Sequence, residues 1–198
     1  GLGTSGDLTI GDVDISDVVT ASIDSLVVSG TSNRLDPAAP SDATLLTMFA
    51  INPTAILDAT EITDTLNWTF ISGAETFDYL AAGETLILQY TVRATDDNGI
   101  PLNDTETVTI TITGTDDAAV ISGDLSYQGN AGEPVTGTIA ATDVEGLTDN
   151  TYFSVTGAAS NGLASIDPAT GVWTFVPTDA NWSGSDSFTV TVTHDQGG

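Results

Sequence analysis

The stretch GETLILQYTVRATDDNGIPLNDTETVTITITGTDDAAV, Gly83 to Val120, decides the fold. In its first run Leu86, Leu88, Tyr90, Val92 and Ala94 fall on one face, with Thr85, Gln89, Thr91 and Arg93 opposite. In its second run Val108, Ile110 and Ile112 alternate with Thr107, Thr109, Thr111 and Thr113. Alternation with period two marks a half-buried strand, and threonine is the polar residue a strand accepts best. Asp96-Asp97-Asn98-Gly99 between the runs is turn chemistry, because Asn-Gly tolerates positive φ. Gly114-Thr115-Asp116-Asp117 ends the second run, and a new apolar start, Ala118 to Ile121, follows at once. The pattern predicts the last two strands of one domain and a short hinge to the next, with domains at 1–117 and 118–198.

Working outward, the first part reads as strands at Leu8–Asp17, Thr20–Ser29 and Leu66–Ile71, with Ile56–Ile62 ambiguous. Ser41-Asp42 predicts the cap of a short helix through Ala50. The second part predicts strands at Pro134–Ala141, Tyr152–Thr156, Leu163–Ile166, Val172–Val176 and Phe188–Thr193, with a turn at Asp167–Gly171. Short strands separated by turn signals indicate sandwiches.

The two parts repeat one plan. Trp68-Thr69-Phe70 recurs as Trp173-Thr174-Phe175, YTVRATDDNG (Tyr90–Gly99) as FTVTVTHDQG (Phe188–Gly197), and GDVDISD (Gly11–Asp17) as TDVEGLTD (Thr142–Asp149). The second copy has no counterpart of TVTITIT, so it is expected to lack its final strand and to leave an edge that pairs with another molecule or is capped locally.

Composition narrows the function. The 198 residues carry 28 Asp plus Glu against two basic residues, Arg34 and Arg93, for a formal net charge of −26. Such a surface repels nucleic acid and anionic membranes. Aspartate outnumbers glutamate 22 to 6, and aspartate is the acid that serves in turns and as a metal ligand. A salt-adapted surface is the competing explanation. Without cysteine there is neither a disulfide framework nor a zinc-thiolate site. No apolar run reaches the length of a membrane span and no signal-peptide pattern opens the chain. The Gly-rich ends suggest an excerpt of something longer.

Asn67–Gly99 with Thr107–Ile121 carries NWTF, LAAGETL, YTV, a D-x-G turn and ITGTDD together, and in this resembles the VCBS repeat of giant bacterial surface proteins. The second part is similar to the cadherin-like repeats of the same proteins. The resemblance implies an all-β chain of two tandem Ig/cadherin-like β-sandwich domains, the first with a short helical insertion. It also implies extender regions of RTX adhesins, secreted by the type I route, bound to calcium and serving adhesion and biofilm. His194 departs from the family, standing where an Asp is usual.

Calcium takes about 6–8 oxygen ligands from clustered carboxylates, Asn and carbonyl groups. Three kinds of cluster fit: Asp12/Asp14 and Asp143/Glu145 after an early strand, the turn Asp96/Asp97/Asn98 with Asp195, and the hinge pair Asp116/Asp117. In a cadherin-like sandwich the first two kinds share one pole, so Asp116, Asp117, Asp143, Glu145 and Asp195 are expected to converge, with Glu84 closing the site from the opposite pole of the first module. One isolated Asp is more often an Asx-turn residue, but so many carboxylates at one pole repel without a cation. EF-hand spacing and nonapeptide arrays are absent.

Other signals point elsewhere only weakly. His194 has no nucleophile motif to serve. Trp68 and Trp173 sit at strand spacing and are read as core rather than as sugar platforms, whereas Trp182, in a polar loop, is open to either role. The reading is therefore a non-enzymatic, calcium-stiffened spacer whose partners are neighbouring repeats of a long secreted chain. The alternatives are a ligand- or glycan-binding sandwich and accessory domains of a secreted hydrolase.

Overall fold

The computed structural model describes residues 1–14, 17–97, 103–144, 146–147 and 152–193. The chain divides into two units, Gly1–Gly114 and Thr115–Gly198. The predicted all-β tandem of sandwiches is what the strands build, with a change of unit three residues before the expected boundary.

In the first unit the strands are β1 (Gly3–Gly11), β2 (Val19–Gly30), β3 (Phe49–Asn52), β4 (Ala55–Leu57), β5 (Thr63–Ile71), β6 (Thr85–Asp96) and β7 (Asn103–Thr113). One sheet has the order β1-β5-β3 and the other β4-β2-β6-β7. The alternation read from the sequence sets which face turns inward: Leu86, Leu88, Tyr90 and Val92 of β6 and Val108, Ile110 and Ile112 of β7 are all buried. They join Leu66 and Phe70 of β5 in one core. Burial of an aliphatic or aromatic side chain contributes about 1.5–3 kcal/mol, so the two long strands supply much of this unit's stability.

The predicted helix is shorter than expected. Ser41 caps α1 (Asp42–Thr47), accepting from the Thr44 N–H, but the helix closes at Met48 and Phe49–Ala50 become strand β3. The reason is tertiary. Phe49 stacks on Tyr90 with ring centroids 4.3 Å apart, and β3 pairs with β5 from Phe49↔Phe70 onward. The ambiguous segment yields only the three-residue β4.

Tyr90 is fully buried and its hydroxyl donates to the Leu45 carbonyl at 2.7 Å. Burial pushes its pKa up to about 12, against about 10 in the unfolded chain. The neutral hydroxyl is thus the folded form, and the stability it contributes is complete below pH 10 and lost as the pH rises towards 12, amounting to about 2–3 kcal/mol. Tyr79, also raised by burial, acts in the same direction. Alkaline melting of the first unit should steepen between pH 10 and 12, and Tyr90→Phe should flatten it in part. An identical profile for the variant would remove Tyr90 from the explanation.

The second unit comprises β8 (Val120–Gly123), β9 (Val135–Thr142), β10 (Phe153–Gly157), β11 (Gly162–Ile166), β12 (Val172–Pro177) and β13 (Thr189–Val192). Its sheets are β11-β12-β9-β8 and β10-β13. Its fully buried apolar residues are few: Ile139, Phe153, Trp173 and Phe175.

The internal repeat is visible in the pairing. The order β3-β5-β1 is matched by β11-β12-β9, and β2-β6 by β10-β13. Trp68 lies opposite Gly6 in the β1–β5 ladder, and Trp173 lies opposite Gly137 in the β12–β9 ladder. A Cβ on either glycine would sit 2.6 Å from the indole, so each ring occupies the space its glycine leaves open. Gly6 precedes Asp12 by six residues, as Gly137 precedes Asp143. The acidic pairs therefore leave equivalent strands.

Candidate metal centre

At the end of β1 the chain turns through acids rather than continuing the ladder. The Asp12 N–H donates to the Ile62 carbonyl, and the Asp12 carboxylate accepts from the Asp14 N–H at 2.9 Å, an Asx turn. The Asp17 N–H then donates to the Asp14 carbonyl. These steps fold the segment back before β2 begins. Carboxylate oxygens of Asp12, Asp14 and Asp17 lie within 4.8 Å of one another, the one such group of three among the described residues. Two oxygens bound to one calcium ion at about 2.4 Å can be at most about 4.8 Å apart. The spacing fits a single hard cation.

Asp17 is 5% exposed, Asp12 half-buried and Asp14 exposed. Gathering three carboxylates, one of them buried, is electrostatically costly unless positive charge compensates. The two arginines are committed elsewhere: Arg34 pairs with Asp42 at 2.8 Å and Arg93 with Asp24 at 2.6 Å. Residues 115–198 contain eleven acids and neither lysine nor arginine.

The turn after β6 meets the same pole. β2 and β6 pair with Val19↔Asp96, the Asp97 carboxylate accepts from the Val18 N–H at 3.0 Å, and the Asp97 N–H donates to the Val18 carbonyl. Asp97 is thereby bonded to Val18, the residue after Asp17, while Asn98 lies outside the described residues. The cluster of three carboxylates does not include Asp96 or Asp97. The sequence expectation left Asp17 out, although it closes the cluster; the D-x-D-x-x-D spacing was the available signal.

Glu84 sits at the other end of β6, a strand whose twelve residues span about 40 Å. Its carboxylate accepts from the Ala81 N–H, and its carbonyl accepts from Gly114 N–H, the last residue of the first unit.

In the second unit Asp143 follows β9, half-buried, its carbonyl accepting from the Gly146 N–H. The Val120↔Thr142 pair puts the segment carrying Asp116 and Asp117 at the same sheet end as Asp143. Glu145 and Asp195, the other expected ligands, lie outside the described residues, as does His194. Other acids here act as turn staples. Asp186 accepts from the Ser160 and Asn161 N–H groups, and Asp167 from Ala169 and Thr170; these bonds hold both carboxyls below the usual carboxylate range. Trp68 and Trp173 pack on the cores, as expected, and Trp182 is half-buried against Phe175.

No helix is long and apolar enough to cross a membrane among the described residues. No curated protein matches this chain. Among solved structures the chain is similar to the E. coli chaperone DraB, at 13% identity over 98% of this chain and 86% of that one, with a TM-score of 0.27, a likeness too slight to bear on fold or function. Residues 116–198 match the family model described as Bacterial Ig domain, so the second unit is similar to a bacterial Ig-like domain.

Proposed function

We propose that the chain is a pair of calcium-stiffened spacer modules from a long secreted bacterial adhesin, with no enzymatic activity of its own. The observation that carries the reading is the Asp12–Asp14–Asp17 cluster, whose spacing suits one calcium ion. Three further features support it: the recurrence of the acidic pair at the equivalent strand end of the second unit, the Ig-like match there, and the VCBS-like blocks of the first. In this reading the partners are neighbouring repeats, export follows the type I route, and the distal ligand belongs to another part of the protein. Calcium cancels charge at the module ends and converts a repelling string into a rod. Asp116 and Asp117, in the segment that joins the units in sequence, would contribute oxygens together with Asp143 and its neighbours.

The test is calorimetric calcium titration of the parent against Asp116→Ala/Asp117→Ala. The variant should bind fewer ions but not none, because the Asp12 cluster persists. An unchanged ion count would remove the joining segment from the metal scheme, and no binding by the parent would end the calcium reading.

A further inference from the structure

Two blocks of the first unit, LAAGETL (Leu80–Leu86) and ITGTDD (Ile112–Asp117), are distant in sequence and meet where β7 ends. The β6–β7 ladder closes with Thr85↔Thr113, and Gly114 carries the pairing one step further. Its N–H donates to the Glu84 carbonyl at 2.8 Å, and its carbonyl accepts from the Gly83 N–H at 3.1 Å. Ala81–Glu84 is itself a turn, closed by the Glu84 N–H donating to the Ala81 carbonyl at 2.9 Å. Gly83 holds its third position at φ 79°, where a turn of this kind favours glycine. The Glu84 side chain closes the turn a second time, its carboxylate accepting from the Ala81 N–H at 3.2 Å.

Gly114 fills this turn without room for more. A Cβ on it would collide with the Leu80 and Ala81 carbonyl oxygens, backbone atoms that cannot swing aside as a side-chain tip can. The turn cannot easily retreat, because Phe77, Tyr79 and Leu80 just ahead of it are buried in the core. Beyond it, Thr115 to Ala119 belong to no strand, and β8 starts at Val120.

We propose that the Ala81–Glu84 turn is a socket that locks Gly114 and so fixes the direction in which the chain leaves the first unit. Glu84 is the positioning residue that holds the socket shut. Mobility of the joining segment then begins beyond Thr115 rather than inside β7. The LAAGETL block has its task in this lock. Gly83 makes the turn, Glu84 braces it, and Leu80 ties it to the core. The lock needs no metal, so it is independent of the calcium reading.

The experiment uses the full chain in chelator and reads amide exchange and backbone order at Gly83, Gly114 and Thr115. In the parent both glycine amides should be protected, and Thr115 should be as ordered as Thr113. Glu84→Ala should speed exchange at both glycines by roughly tenfold or more, while Leu88 and Ile110 change little. It should also lower the Thr115 order parameter from about 0.85 towards about 0.6. Glu84→Gln, which keeps an oxygen for the Ala81 N–H, should behave as the parent. Gly114→Ala should loosen the turn most, and the Glu84 pair decides the matter if that variant unfolds the unit. Unprotected glycine amides in the parent, no effect of Glu84→Ala, equal effects of the two Glu84 variants, or a rise spread evenly over Leu88 and Ile110 would each overturn the lock.

Discussion

Trp173→Ala unfolds the second unit at temperatures where the first stays folded. Trp173 is 6% exposed, one of the four apolar residues fully buried in that unit's core. It makes edge contacts with Phe188 and Tyr127, and its indole N–H donates to the Asp124 carbonyl at 3.2 Å. Removing such a ring costs about 3–5 kcal/mol, comparable with the whole stability of a small domain. Trp68, the equivalent residue, is half-buried and backed by a core of nineteen buried side chains, so Trp68→Ala should cost only about 1–2 kcal/mol. Scanning calorimetry of the two variants should show the lower transition lost in Trp173→Ala and merely shifted in Trp68→Ala. Equal losses would mean that the repeat equivalence overrides the difference in core size.

The second large effect concerns calcium and Asp17. If calcium binds the Asp12–Asp14–Asp17 cluster, an ion concentration a hundred times its Kd stabilises the first unit by about 2.7 kcal/mol, raising its melting temperature by roughly 10 °C. Asp17→Asn keeps the size of a buried side chain but removes a charge that the cation needs. The variant should therefore melt at nearly the same temperature with calcium as with chelator. A purely structural Asp17 would instead lower both melting temperatures equally and leave the calcium increment intact. Magnesium should replace calcium poorly, because it demands a tighter octahedral shell and keeps its water.

How much of this was legible in the sequence depends on the range of the cause. The inward faces of β6 and β7 were legible residue by residue, since period two is a local property and both strands are long. The end of α1 was not: Phe49 and Ala50 look helical locally, and the stack of Phe49 on the distant Tyr90 with the pairing of β3 to β5 makes a strand of them. The Asp12 cluster was half legible. Asp12 and Asp14 stand out as a pair, but Asp17 joins them only because the chain turns back through the Asp14 carbonyl. Asp97 reaches that pole because β2 and β6 happen to pair in the register that sets Val18 beside it.

The calcium-stiffened spacer is tested most directly by small-angle X-ray scattering of the parent chain in calcium and in chelator. Calcium should yield a longer maximum dimension with the profile of a stiff two-module rod, and chelator should return the profile of a flexible pair. Profiles that superimpose in calcium and chelator, with calcium shown to be bound, would contradict the claim that the ion stiffens the chain.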